Sequence, residues 1–273
     1  MTTSKIPAPP VQMPRRPATT VPWGPIKTNQ NGYRALLYGV GGVGKSSLAA
    51  NAPGPVMYVD FDNSLPLLRK ELGSVADGVH SYQADGWAEV LSTLGSYDLF
   101  GGIKTIVIDP TTKLEELSHS WVVANVPTAK GNKVANIEAY GYKEGYRHAF
   151  DQWLKLLAIL EQHVFAGRNV ILVCHSESAN VANASGENFL CYEPRLSRSA
   201  QGNVREKLFE WCDHVLFYAY DVAVKDGKAM GGGSRTLYTH PEAWFKAKAR
   251  GFDRDFIVPD FANLGDVWTQ LFV

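Results

Sequence analysis

The sequence is short of the residues on which several classes of protein depend. Its three cysteines, Cys174, Cys191 and Cys212, are odd in number and widely spaced, which argues against a disulfide framework and a zinc knuckle. The seven histidines form no H-x-x-H or H-E-x-x-H cluster, so a structural metal has no obvious ligands. No apolar run approaches the ~20 residues of a membrane span, and the N-terminal stretch lacks the apolar core of a signal peptide. A cytoplasmic protein with no membrane partner is the expectation. Net charge is absent too, with 27 basic and 27 acidic residues, so bulk composition gives no polyanion binder. Acidic residues are missing altogether before Asp60, whereas Lys5, Arg15, Arg16, Lys27, Arg34 and Lys45 all precede it. That asymmetry reads either as a basic arm that touches nucleic acid or as a solvated tail of low charge density.

What is present begins with a leader. Residues 1–30 carry Pro7, Pro9, Pro10, Pro14, Pro17, Pro22 and Pro25. Such a segment can supply neither a helix interior nor a central strand, and it holds too little apolar surface to offset the entropy of ordering. A disordered or extended leader is expected, followed by one domain over residues 31–273. Within it, apolar runs at Tyr33–Val40, Val56–Asp62, Gly101–Asp109, Asn169–His175 and His214–Tyr220 read as strands. Helices are predicted at Leu65–Leu72, from Lys113 to about Val126, from about Tyr146 to Phe165, and from Val204 to Cys212. Two polar stretches, Pro127–Gly145 and Ser176–Asn203, interrupt this alternation. A hairpin over Asp221–Tyr238, turning near Gly231–Gly233, and a short docking helix burying Val267, Trp268 and Leu271 complete the chain. Strands alternating with helices give a three-layer α/β fold with a mainly parallel sheet, whose ligands gather at the carboxyl ends of the strands.

The first strand runs into Gly39-Val40-Gly41-Gly42-Val43-Gly44-Lys45-Ser46-Ser47. Gly39, Gly44, Lys45 and Ser46 fill the fixed positions of G-x-x-x-x-G-K-[ST], the phosphate-binding loop. The glycines let the backbone N–H groups of the loop, Gly41 to Ser47, curl around a polyphosphate, and the helix N-terminus adds partial positive charge. Lys45 then reaches the β- and γ-phosphates and the Ser46 hydroxyl takes one position on Mg²⁺. Nucleotide binding is the expectation, with the loop alone unable to separate ATP from GTP.

Asp109 closes the third apolar strand, the place of the carboxylate that holds Mg²⁺ through water opposite Ser46. Hydrolysis further needs a group that orients the attacking water. Pro110 follows Asp109, so no carboxylate stands next to it, and Asp62 and Asp60 at the end of the second strand are the candidates, Asp62 first. His175 ends the fourth strand, where a polar group can sense the γ-phosphate or simply be satisfied by backbone. Lys248 and Arg250, two apart in Phe245–Arg250, project to one side of an extended segment; they read as a cation pair supplied late to phosphoryl transfer or as a solvated charge run.

These residues resemble a family. Tyr38–Ser46, Tyr58–Asp62, Ile106–Asp109 and Ile171–His175, followed by Glu210–Phe217, Arg235–Thr239 and Ala247–Arg250, are similar to the phage-encoded ATP-binding proteins of the RecA-like superfamily, which includes single-strand annealing recombinases. The likeness spans about Tyr33 to Phe272. It implies a RecA-type core with the fourth predicted strand between the first and third, ATP and Mg²⁺ as cofactors, and DNA-dependent ATP hydrolysis. It implies Asp62 as the catalytic acid beside Lys45, His175 as the sensor, and Lys248 and Arg250 reaching the nucleotide of an adjacent protomer. The two polar stretches then contact single-stranded DNA, with Lys130, Lys133, Arg195 and Arg198 as the cations and Tyr140, Tyr142 and Phe189 for stacking. The implied partners are single-stranded DNA, further copies of the chain in a filament or ring, and a single-stranded-DNA-binding or replication protein. Asp62 stands where related proteins more often carry Glu, and Pro110 where they carry Ser or Thr; both bear on the rate of hydrolysis. A nucleotide-switched adaptor or helicase loader with slow turnover is the second reading of the same residues.

Overall fold

The computed structural model describes residues 31–272 apart from 184–185 and 226–227. The leader, 1–30, lies outside the described residues. The chain runs β1 (Arg34–Gly39), α1 (Lys45–Ala50), β2 (Val56–Asp60), α2 (Leu65–Leu72), β3 (Val79–Tyr82), α3 (Trp87–Gly95), β4 (Thr105–Asp109), α4 (Thr111–Asn125), α5 (Glu144–Phe165), β5 (Asn169–Val181) and β6 (Phe189–Pro194). It continues through α6 (Val204–Trp211), β7 (His214–Lys225), β8 (Lys228–Tyr238), β9 (Lys248–Ala249), β10 (Phe256–Ile257) and α7 (Gly265–Leu271).

The sheet order is β10-β8-β7-β1-β5-β4-β2-β3, with β6 added to β5 and β9 to β7. From β7 to β3 every neighbouring pair is parallel. As the resemblance implies, β5 lies between β1 and β4. Burial explains the composition of these strands. Leu36 and Tyr38 of β1 face one core with Ile106, Ile108, Leu172 and Cys174, closed over by α3, α4, α5 and α6. Their neighbours Ala35 and Leu37 face the other with Val107, Ile171 and Val173, under α1, α2 and α7. A strand buried on both faces reads as a continuous apolar run, which is why the central strands are legible in the sequence. The three-layer α/β architecture is therefore the one expected.

The docking helix is also as expected. Val267, Trp268 and Leu271 are buried, and the Trp268 indole donates to Leu48 O at 2.8 Å, at the far end of the helix that follows the phosphate loop.

Three features depart from the sequence reading. The stretch from residue 73 to 100, left unassigned, contains edge strand β3 and helix α3; β3 is four residues long and polar at His80 and Ser81, too short to show a period. The second polar stretch is not an open loop: β5 continues past His175 to Val181 and pairs antiparallel with β6. In the hairpin of β7 and β8, Gly231–Gly233 lie inside β8, whose pairing with β7 runs as far as Lys225 and Lys228.

Candidate active site

Register brings the strand ends to one edge. Gly39 is level with His175 on one side and Tyr218 on the other, and Asp60 is level with Asp109. The phosphate loop leaves β1 at this edge. Gly39 cannot carry a side chain there, because a Cβ would stand 2.1 Å from Tyr218 O. Val43 buries its side chain in the core and so anchors the loop from below. Gly44 adopts φ +98°, a left-handed conformation that favours glycine, immediately before α1 begins at Lys45.

Around the loop is a cavity of about 340 Å³ lined by Gly41, Gly42, Gly44, Lys45, Ser46, Ser47, Asp62, Asp109 and His175. The predicted loop residues Gly41, Gly42, Gly44, Lys45, Ser46 and Ser47 therefore line one cavity with Asp62, Asp109 and His175. Lys45 is buried, and its Nζ donates to Gly39 O at 3.0 Å and Val40 O at 2.8 Å. Burial lowers its pKa, opposed by the Asp109 carboxylate. Asp109 is buried in turn; Ser46 Oγ donates to its Oδ2 at 2.6 Å and the Tyr58 phenol to the same oxygen at 2.5 Å. Burial raises the Asp109 carboxyl, offset by those two hydrogen bonds and by Lys45. A hydroxyl and a carboxylate oxygen in contact are hard donors of the kind Mg²⁺ takes, its remaining positions going to water and phosphate. Ser46 and Asp109 thus fit the ion, which when bound supplies positive charge against the phosphate oxygens.

The two strand-end acids separate by role. Asp60 is 2 % exposed, and its carboxylate accepts from Ser64 N at 3.0 Å and Leu65 N at 2.8 Å, capping α2. Both oxygens are committed to that helix N-terminus, so Asp60 is not the alternative acid. Asp62 is exposed on the cavity wall. His175 is half-buried; burial and the cations Lys45 and Arg195 lower its pKa, and Asp62 opposes them. His175 and the Asp62 carboxyl thus give the cavity two hydrogen-bonding groups on its wall. Ser47 turns its hydroxyl to Glu71 at 3.1 Å, so only its backbone faces the loop.

Other predicted residues lie elsewhere. Lys248 and Arg250 sit beside the start of β7, where Val215 pairs with Lys248, at the end of the sheet opposite this chain's own phosphate loop. Lys248 donates to Phe209 O and lies over the Phe209 ring; Arg250 bonds Asp213 at 3.2 Å. Lys130, Lys133 and Arg195 are exposed, and Arg198 is half-exposed and 3.7 Å from Glu193.

Sequence reasoning gave no role to Arg235, which lines the cavity from β8. Its Nη1 donates to Val43 O at 2.8 Å. Nearby, the Tyr220 phenol donates to Gly42 O at 2.7 Å. Neither contact is visible without the pairing of β7 with β1 and of β8 with β7.

A search among curated proteins finds no match. A family model described as AAA domain matches residues 31–251, which covers β1 through β9 and every residue of the cavity. With a complete phosphate loop at the carboxyl edge of a parallel sheet, and Ser46 against Asp109, the chain belongs to the AAA domain family of P-loop ATPases.

Proposed function

We propose that this ATPase works on single-stranded DNA, assembling on it as a homo-oligomer with bound ATP and Mg²⁺ and promoting annealing or strand pairing. The observation that carries the reading is the junction between Glu115 and Ser197. Glu115 lies in the second turn of α4, the helix that starts directly behind Asp109. Its buried carboxylate accepts the Ser197 N–H at 3.0 and 3.1 Å, tying the nucleotide edge of the sheet to the second polar stretch. Ser197 and Arg198 in turn line a cavity of about 540 Å³ with Glu138, Tyr142 and Lys143 of the first and Tyr146 of α5. Aromatic rings interleaved with cations suit single strands, whose bases stack and whose phosphates need countercharge. Tyr142 is 95 % exposed, free to stack. The exposed Lys130 and Lys133 on the first stretch, and Arg195 beside Leu196, extend the same charge.

The position of Lys248 and Arg250 fits a head-to-tail assembly. A heterologous interface that stacks one end of the sheet on the phosphate edge of the next copy brings these cations toward the neighbour's nucleotide and extends into a filament or closes into a ring. Asp62 in place of a longer acid, and Pro110 after Asp109, accord with slow turnover, the property on which the adaptor reading also rests.

Negative-stain microscopy with single-stranded DNA and a non-hydrolysable ATP analogue tests the proposal. Extended nucleoprotein arrays that disappear without nucleotide are expected; discrete rings that ignore DNA would replace the recombinase with the adaptor.

A further inference from the structure

The phosphate cavity contains a cation that neither the loop motif nor the resemblance assigns. Arg235 reaches it from β8, two strands away from β1. Its guanidinium carbon lies 5.1 Å from the Tyr220 ring centre and 4.9 Å from that of Phe261, so the planar head is held by two aromatic rings. Nη1 is spent on Val43 O. Nε is buried without a hydrogen-bond partner, while the Tyr218 phenol lies beside the same group. A Cβ on Gly44 would stand 2.6 Å from Nη1, so the glycine before Lys45 also makes room for this side chain. Arginine offers five N–H donors in a fixed fork; Val43 O takes one and the Tyr218 phenol interacts with the same head, which leaves donors for a ligand. A half-buried cation with spare donors at the wall of a polyphosphate site is stabilised most by an anion there.

We propose that Arg235 is a phosphate ligand supplied in cis: with Nη1 fixed on Val43 O, its remaining N–H groups hydrogen-bond phosphate oxygens of a nucleotide held around Lys45. The proposal rests on nucleotide binding at that loop and adds a second cation from the same chain, distinct from the Lys248 and Arg250 pair. It also makes the β7–β8 hairpin a direct sensor of bound phosphate.

The test is calorimetric titration of the full chain with Mg²⁺ and a non-hydrolysable ATP analogue or ADP, using wild type, Arg235→Gln, Arg235→Lys and Lys45→Ala. Hydrogen exchange of residues 39–46 without nucleotide is recorded for each. Arg235→Gln is expected to weaken both nucleotides about 10- to 100-fold, the range for a charge-assisted hydrogen bond, while loop exchange stays as in wild type. Arg235→Lys should recover part of the affinity, keeping the charge without the fork. Wild-type affinity in Arg235→Gln overturns the proposal, as does a loss accompanied by equal loss of loop protection, which is the mark of a structural role. Unchanged binding by Lys45→Ala, or none by wild type, instead defeats the reading of the loop and the proposal with it.

Discussion

The two acids at the end of the second strand show how one position decides a residue's work. Asp60 and Asp62 both close one apolar run in the sequence, where only the position further out ranks Asp62 first. Asp60 is buried with both oxygens on the N-terminus of α2, where an anion stabilises orphan N–H groups. Asp62 remains on the cavity wall with His175 and Lys45. Asp62→Asn is therefore expected to lower ATP turnover by roughly 10²-fold or more while nucleotide affinity holds, because it removes a proton acceptor and keeps the shape. Steady-state kinetics alongside titration separates the two; a variant with wild-type turnover would show that Asp62 does not act on the water. Lys45 and Ser46 were readable because the phosphate loop has fixed spacing, and Asp109 because it closes an apolar strand. Arg235 was not, because its relation to Val43 is set by strand pairing across 192 residues, and sequence spacing carries no trace of that.

Among the elements, α4 links the nucleotide edge to the cavity between the polar stretches. Burial raises the Glu115 carboxyl from 4.5 to about 7, with the Ser197 N–H opposing the shift. A carboxyl that holds its proton more tightly folded than unfolded adds stability below the unfolded value and loses it as pH rises through the folded one. Stability should thus carry a component that falls between about pH 4.5 and pH 7, and Glu115→Gln should remove it. The difference between the wild-type and variant melting curves across that window is the measurement; parallel profiles would contradict a protonated Glu115. Elements were legible in proportion to their burial. The long amphipathic α5, expected from Tyr146, begins at Glu144 and ends at Phe165 as expected. The short β3 and the hairpin of β5 and β6 were not, since half-exposed strands with mixed polar residues give neither an apolar run nor a clean alternation.

For the whole molecule, the sheet gathers Gly39, Asp109, His175 and Asp62 at one end and Lys248 and Arg250 at the other. Residues far apart in sequence converge because parallel strands all present their carboxyl ends to the same edge. The fold class and the phosphate site followed from the sequence for that reason, whereas the proposed DNA surface depends on how two polar stretches meet around Tyr142 and Arg198, a matter of tertiary packing. On the proposed function, ATP turnover at Lys45 and single-stranded DNA are coupled. The most direct test is ATP hydrolysis by the purified protein with Mg²⁺, with and without single-stranded DNA, for wild type and Lys45→Ala. Turnover is expected to rise when DNA is added and to be absent in the variant. Turnover that is indifferent to DNA, or that survives in Lys45→Ala, would contradict the proposal.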